Sequence, residues 1–192
     1  MARIFGLSRL RFFENGVVSL NLPIVPHELG ARASRTTHPR VINGFTKLFS
    51  ALVQTSFTVQ NPFLWNTKSE LVQVIAKCDC AELIRHTVSC ARVRGMTVAQ
   101  THCGVCSQCV DRRFGVLAAG LEAHDPDTLY KLDLLAAPLP PGEARTMVEA
   151  FVRTANEIER MDDVAFFARF GELSRAVRFI PGNCKRGRTK DF

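Results

Sequence analysis

One tryptophan and one tyrosine in 192 residues is a thin supply of aromatic rings with a polar edge. Proteins that bind single-stranded nucleic acid by stacking need such rings interleaved with basic residues. The fourteen phenylalanines do not fill that role, because they fall mostly in helical, core-type patterns. Long apolar runs are also missing. Nothing approaches the roughly 20 consecutive apolar residues of a membrane span. The opening MARIFGLSRLRFF has no apolar centre and no small-residue cleavage site, which argues against a secretory signal and for an ordinary strand or helix. There is no internal repeat, and no low-complexity tract apart from a basic tail at residues 183–192. The cysteine count, seven, is odd. An odd number with several clustered speaks against a disulfide framework and for a reducing, cytoplasmic setting.

What is present is basic. The formal net charge is +7 and the pI about 9.3. Part of that charge lies in Lys185-Arg-Gly-Arg-Thr-Lys190, a solvated tail through which nucleic acid can be held. A basic protein equally suits small anions such as ATP or pyrophosphate. Hydrophobic content of 46% and charged content of 22% are those of a soluble globular chain long enough for a real core.

The strongest pattern is Cys90, then Cys103-Gly-Val-Cys106-Ser-Gln-Cys109. Three cysteines at two-residue intervals with a fourth upstream can bring four thiolates to one tetrahedral ion, and zinc accepts four sulfurs in structural sites. Gly104 supplies backbone freedom at the turn. Two other readings compete. A [4Fe–4S] ligand run would continue x3-Cys-Pro, where Arg113-Phe114 stand instead. Packing cysteines or disulfides form the remaining alternative. Cys78 and Cys80 lie outside the cluster and read as packing residues at a helix end.

Around this cluster, Glu14-Asn-Gly16 is a turn signal and Val17–Leu22 reads as a short strand stopped by Pro23. Residues 23–40 form a proline-rich loop. Within it, Arg35, Thr36, Thr37 and His38 can bind an anion through guanidinium and hydroxyl donors, or form a plain solvated loop. A helix is expected over 41–57, with Ile42, Phe45, Leu48, Phe49, Leu52 and Val53 on one face. Thr67-Lys-Ser-Glu70 is a capping box that starts another helix. Lys68 at that start can meet a phosphate, or be a solvated lysine. Leu83–Ser89 reads as a short strand, and Val110, Phe114, Leu117 and Leu121 as a helix opening on Cys109. His124–Asp127 reads as a turn. Beyond Leu139-Pro-Pro-Gly142, residues 143–161 and a following segment capped by Asp162 or Asp163 make a helical hairpin.

Thr67-Lys-Ser-Glu-Leu-Val72, Thr87-Val-Ser-Cys90 and Cys103–Cys109 with Asp111-Arg-Arg113, in this order and spacing, resemble the 7-cyano-7-deazaguanine synthases. These are QueC-type ligases of the N-type ATP pyrophosphatase superfamily. The resemblance covers residues 14–125. The Glu14–Gly16 and Arg35–Arg40 segments are closer to a divergent branch from nucleic-acid modification and phage defence. It implies an α/β fold: the C-terminal portion of an adenine-nucleotide alpha-hydrolase-like (Rossmann-like) sheet with a four-cysteine zinc knuckle. On that division residues 1–135 are the ligase half with its knuckle at 90–109, 136–182 a helical extension and 183–192 the tail.

The implied chemistry is conversion of 7-carboxy-7-deazaguanine, ammonia and ATP to the nitrile. Zinc on Cys90, Cys103, Cys106 and Cys109 would be structural. Lys68 would contact phosphate, while Arg35, Thr36, Thr37 and His38 would line the substrate. One family feature is missing: no Ser-Gly-Gly-x-Asp-Ser nucleotide loop occurs in the sequence. The expectation is therefore a fragment, a chain that has lost catalysis, or one whose ATP loop, with ATP and magnesium, comes from an upstream segment or partner chain. Alone it should not adenylate. The competing expectation is a non-catalytic zinc module contacting nucleic acid or a protein partner.

Overall fold

The computed structural model describes residues 5–20, 22, 36–136, 138–139 and 141–180. They form a mixed α/β, mostly helical structure that divides into two units, Met1–Asn66 with Ile158–Phe192, and Thr67–Glu157.

The first unit holds a two-stranded parallel sheet. Strand β1 (Arg9–Arg11) pairs with β2 (Thr58–Gln60) in the register Arg9–Thr58, Leu10–Val59, Arg11–Gln60. Between them run helix α1 (Gly16–Ser19) and helix α2 (Pro39–Val53). The expected strand at Val17–Leu22 is instead α1 and the residues just after it. Asn15, which is buried, accepts a hydrogen bond from the Val18 amide at 2.9 Å, so its side chain starts a helical turn where the apolar run alone reads as β. Leu20 and Leu22 still reach the core.

Helix α2 starts at His38, whose Nδ1 accepts from the Arg40 amide, with Pro39 at the first helical position. It stops four residues before the expected end, because Gln54 turns left-handed (φ 54°) and Phe57 leads into β2. Ser50 and Thr46 tie the helix to the strand. The Phe57 amide donates to Ser50 Oγ and the Val59 amide to Thr46 Oγ1. Two members of the expected apolar face, Leu48 and Leu52, are exposed. The core of this unit gathers Leu20, Leu22, Phe166, Phe170, Leu173 and Ala176, with Trp65 and Ile158 packed against it. Helices α6 (Asp163–Arg169) and α7 (Gly171–Ala176) carry most of these residues, and Asp162 Oδ1 caps α6 through the Ala165 amide. The helix expected at 143–161 is α5 (Glu143–Arg160), which belongs to the second unit as far as Glu157 and whose buried positions there, Met147, Ala150 and Thr154, recur every three or four residues.

The second unit is built on α3 (Lys68–Lys77) against α4 (Ser107–Ala118). The capping box is present in full: Thr67 Oγ1 accepts from the Glu70 amide, and Glu70 Oε2 from the Thr67 amide at 2.7 Å. Gly115 lets the helices close, since a Cβ there would lie 2.5 Å from Lys68 Cγ. Val72, Ile84 and Val116 form the core beneath. The expected strand at Leu83–Ser89 is a 3-10 segment, Ala81–His86. Among the described residues there is no strand beside it to pair with, and Ile84 is buried by the helical turn. Cys78 is exposed and Cys80 half-buried, so the expectation that they pack a helix end fails. They flank Asp79, a left-handed residue (φ 56°) that ends α3. No helix among the described residues is long and apolar enough to cross a membrane.

Candidate metal centre and its supporting network

Cys90, Cys103, Cys106 and Cys109 are all buried, and their sulfurs lie within 4.8 Å of one another. The Cys103–Cys109 sulfur separation is 3.9 Å and that of Cys106–Cys109 is 3.4 Å, far beyond a disulfide bond. A tetrahedral zinc with Zn–S bonds of about 2.3 Å sets its sulfurs about 3.8 Å apart. The donor set therefore fits a closed, four-thiolate metal centre such as zinc, with no position left for substrate.

Local folding explains how four thiolates gather. Gly104 has φ +84°, and a Cβ on it would sit 1.7 Å from the Leu132 carbonyl oxygen, so only glycine lets the knuckle lie against that backbone. Cys106 is the N-terminal boundary of α4, which places Cys109 in the first turn, pointing back at the same centre. Backbone amides aim at sulfur: those of Arg92 and Cys103 reach Cys90 at 3.3 and 3.5 Å. The thiols do not share charge evenly. Contact with Cys109 holds Cys106 down at about 4. The same contact, with burial, pushes Cys109 up, and burial pushes Cys103 up. A cation is what lets all four ionise together, so metal uptake releases protons.

Behind the knuckle lies a charged network that sequence reasoning missed. Asp125 is fully buried. Its Oδ1 accepts from Arg112 Nε at 2.9 Å, and its Oδ2 from the Tyr130 hydroxyl at 2.7 Å. Its backbone carbonyl accepts from Arg113 Nη1. Arg112 also donates to the Ile84 carbonyl and to Thr87 Oγ1, while Arg113 pairs with Asp133 at 3.2 Å and lies over the Tyr130 ring. Burial, then the bond to Asp125, holds Tyr130 well above the usual phenol range, so it stays a donor.

His102, fully buried beside Cys103, packs on Tyr130 with ring centroids 5.0 Å apart. Its Nε2 accepts from the Ser89 amide, which leaves the proton on Nδ1 to donate to Thr101 Oγ1 at 2.8 Å. Desolvation, reinforced by Arg112, lowers its pKa and keeps it neutral. The network thus clamps Thr87, Ser89 and the 125–133 segment around the cysteines. One signal could have pointed to it. Two adjacent arginines inside an apolar-faced helix require an internal carboxylate, because a buried guanidinium without one is costly.

The other sequence candidates sit as follows. Lys68 opens α3 with its ammonium 3.5 Å from Asp111 and its stem across Gly115, so its charge is already matched. Thr36 is exposed, whereas Thr37 and His38 are buried. Thr37 Oγ1 shares a hydrogen bond with Ser19 Oγ, and His38 caps α2. Arg35 lies outside the described residues.

Four clustered cysteines that could hold a metal ion, backed by a buried Arg–Asp–Tyr network, mark this as an α/β protein with a candidate metal knuckle. Residues 31–120, a segment that includes all four cysteines, match the family model described as Queuosine biosynthesis protein QueC. No curated protein and no solved structure matches the chain.

Proposed function

We propose that the chain is the substrate-side, metal-holding part of a 7-cyano-7-deazaguanine synthase-like ligase. The observation that carries this reading is the QueC match over 31–120 coinciding with four clustered thiols. The reaction activates a carboxylate with ATP, forms the amide with ammonia, then activates and dehydrates it to the nitrile. Carboxylates resist nucleophiles until a leaving group is attached, and positioned cations stabilise the charge developing on pyrophosphate.

In this reading zinc on Cys90, Cys103, Cys106 and Cys109 fixes one wall of the site. With four protein ligands it offers shape and no open position for Lewis-acid chemistry. Lys68, at the start of α3, is the phosphate contact and exchanges Asp111 for the incoming anion. Arg35, Thr36, Thr37 and His38 belong to the substrate side. The sheet is the later part of a Rossmann-like sheet, and the Ser-Gly-Gly-x-Asp-Ser loop with ATP and magnesium comes from another polypeptide segment. The test is reconstitution with a segment carrying that loop, following pyrophosphate release that depends on 7-carboxy-7-deazaguanine and ammonia. Release from the combined protein, and none from the chain alone, is expected. No release from the combination sinks the proposal. Salt-sensitive oligonucleotide binding lost on deleting residues 183–192 would favour a nucleic-acid-binding module instead.

A further inference from the structure

Cys78 and Cys80 take no part in the metal centre or in the proposed ligase chemistry. Helix α3 ends at Cys78 in a Schellman turn. The Asp79 amide donates to the Ala76 carbonyl at 3.0 Å, and the Cys80 amide to the Ile75 carbonyl at 3.2 Å. Asp79 itself is left-handed (φ 56°), a conformation that aspartate tolerates and a β-branched residue does not. The chain therefore reverses over one residue and folds the second cysteine back towards the first. Cys80 Sγ donates to the Cys78 carbonyl oxygen at 3.2 Å. Cys78 is exposed to solvent and Cys80 is half-buried.

This position narrows what the two thiols can do. Packing does not account for an exposed thiol. A closed metal site needs further ligands, and among the described residues no histidine, carboxylate or other cysteine completes a ligand cluster with them. A dithiol that solvent reaches can still exchange with a disulfide. We propose that Cys78 and Cys80 form a thiol–disulfide exchange site for low-molecular-mass disulfides, independent of the ligase reading. Cys78, the open thiol, attacks one sulfur of the small disulfide as its thiolate and expels the other sulfur as a thiolate. Cys80, folded over the Cys78 backbone, then attacks the Cys78 sulfur of this mixed disulfide and expels the second small thiolate. The two expelled thiolates take up the protons that the cysteines lose, and the cysteine pair has passed two electrons to the small disulfide. The new bond closes a ring over a single intervening residue, so it removes little freedom from the unfolded chain. A bond so constrained and so exposed is readily reduced again. The four cysteines of the metal centre are buried and stay outside the exchange.

The test uses the full chain, equilibrated without oxygen in buffers of graded glutathione to glutathione disulfide ratio, quenched with acid and mapped by mass spectrometry. The peptide holding Cys78 and Cys80 should lose two hydrogens along a single two-electron curve. Peptides holding Cys90 to Cys109 should stay reduced. Cys80→Ser removes the resolving thiol and should accumulate a glutathione adduct on Cys78. Cys78→Ser leaves only the half-buried thiol and should form its adduct far more slowly. Asp79→Val disfavours the left-handed turn and should lower the closure constant roughly tenfold, whereas Cys184→Ser should leave it within about twofold. A pair that stays reduced in glutathione disulfide alone overturns the proposal. So does one that ends as stable mixed disulfides, or that bridges to Cys184 or to a second chain.

Discussion

Asp125 shows what a single residue can hold together. Its carboxylate takes up the charge of Arg112 and the hydroxyl of Tyr130, and its carbonyl receives Arg113, all out of water. Asp125→Asn keeps the shape and removes the counter-charge from the buried Arg112 guanidinium, so the expected loss is about 3–5 kcal/mol in urea unfolding. His102 gives the chain a pH dependence of definite sign. Its pKa lies below imidazole's ordinary 6.5, lowered first by burial. As pH falls below about 6.5 the unfolded chain takes up a proton that the folded chain refuses, so stability falls with pH until the folded pKa is passed. His102→Gln should flatten the stability slope between pH 5 and 6.5, measured by denaturant titration at each pH. Neither role was legible in the sequence. Asp125 is thirteen residues from Arg112, in a stretch that reads only as a turn, and nothing local marks it as their partner.

Elements were legible where the signal is local and chemical. The Thr67–Glu70 capping box shows in four letters, and the structure carries both of its hydrogen bonds. Thr67→Ala should cost about 1 kcal/mol, whereas Thr67→Ser should restore most of it, both read from thermal unfolding. The cysteine spacing was legible for the same reason, because thiolates at two-residue intervals with a glycine between them have few other uses. Short apolar runs failed. Val17–Leu22 and Leu83–Ser89 both read as strands, yet Gly16–Ser19 is α-helical and Ala81–His86 a 3-10 segment, since stretches of six or seven residues are too short for their period to separate the two. Asn15 decided the first, and the lack of a neighbouring strand decided the second. The face of α2 was read too wide for a related reason. Periodicity gives the direction of an apolar stripe, but Leu48 and Leu52 at its margin stay exposed.

At the scale of the whole molecule, the two units draw on different kinds of cohesion. The first is held by phenylalanines and leucines around Leu20 and Phe166, the second by a small apolar core, a salt-bridged network and, in the present reading, a metal. Purified chain should contain one equivalent of zinc by elemental analysis. Cys106→Ser should lower both the zinc content and the melting temperature, and an undiminished zinc content in that variant would refute the ligand set.

The uneven burial of the cysteines extends this to a mixed population. Cys78 is exposed and Cys80 half-buried, whereas the four at the centre are buried. Brief alkylation under native conditions should therefore mark the peptide holding Cys78 and Cys80 and spare those holding Cys90 to Cys109. Chelation should bring the second group into reaction, as read by mass mapping. The ratio of the two peptide signals then becomes an internal clock for metal loss, with the outer pair as its reference. It can be read in a crude lysate, where elemental analysis has no meaning.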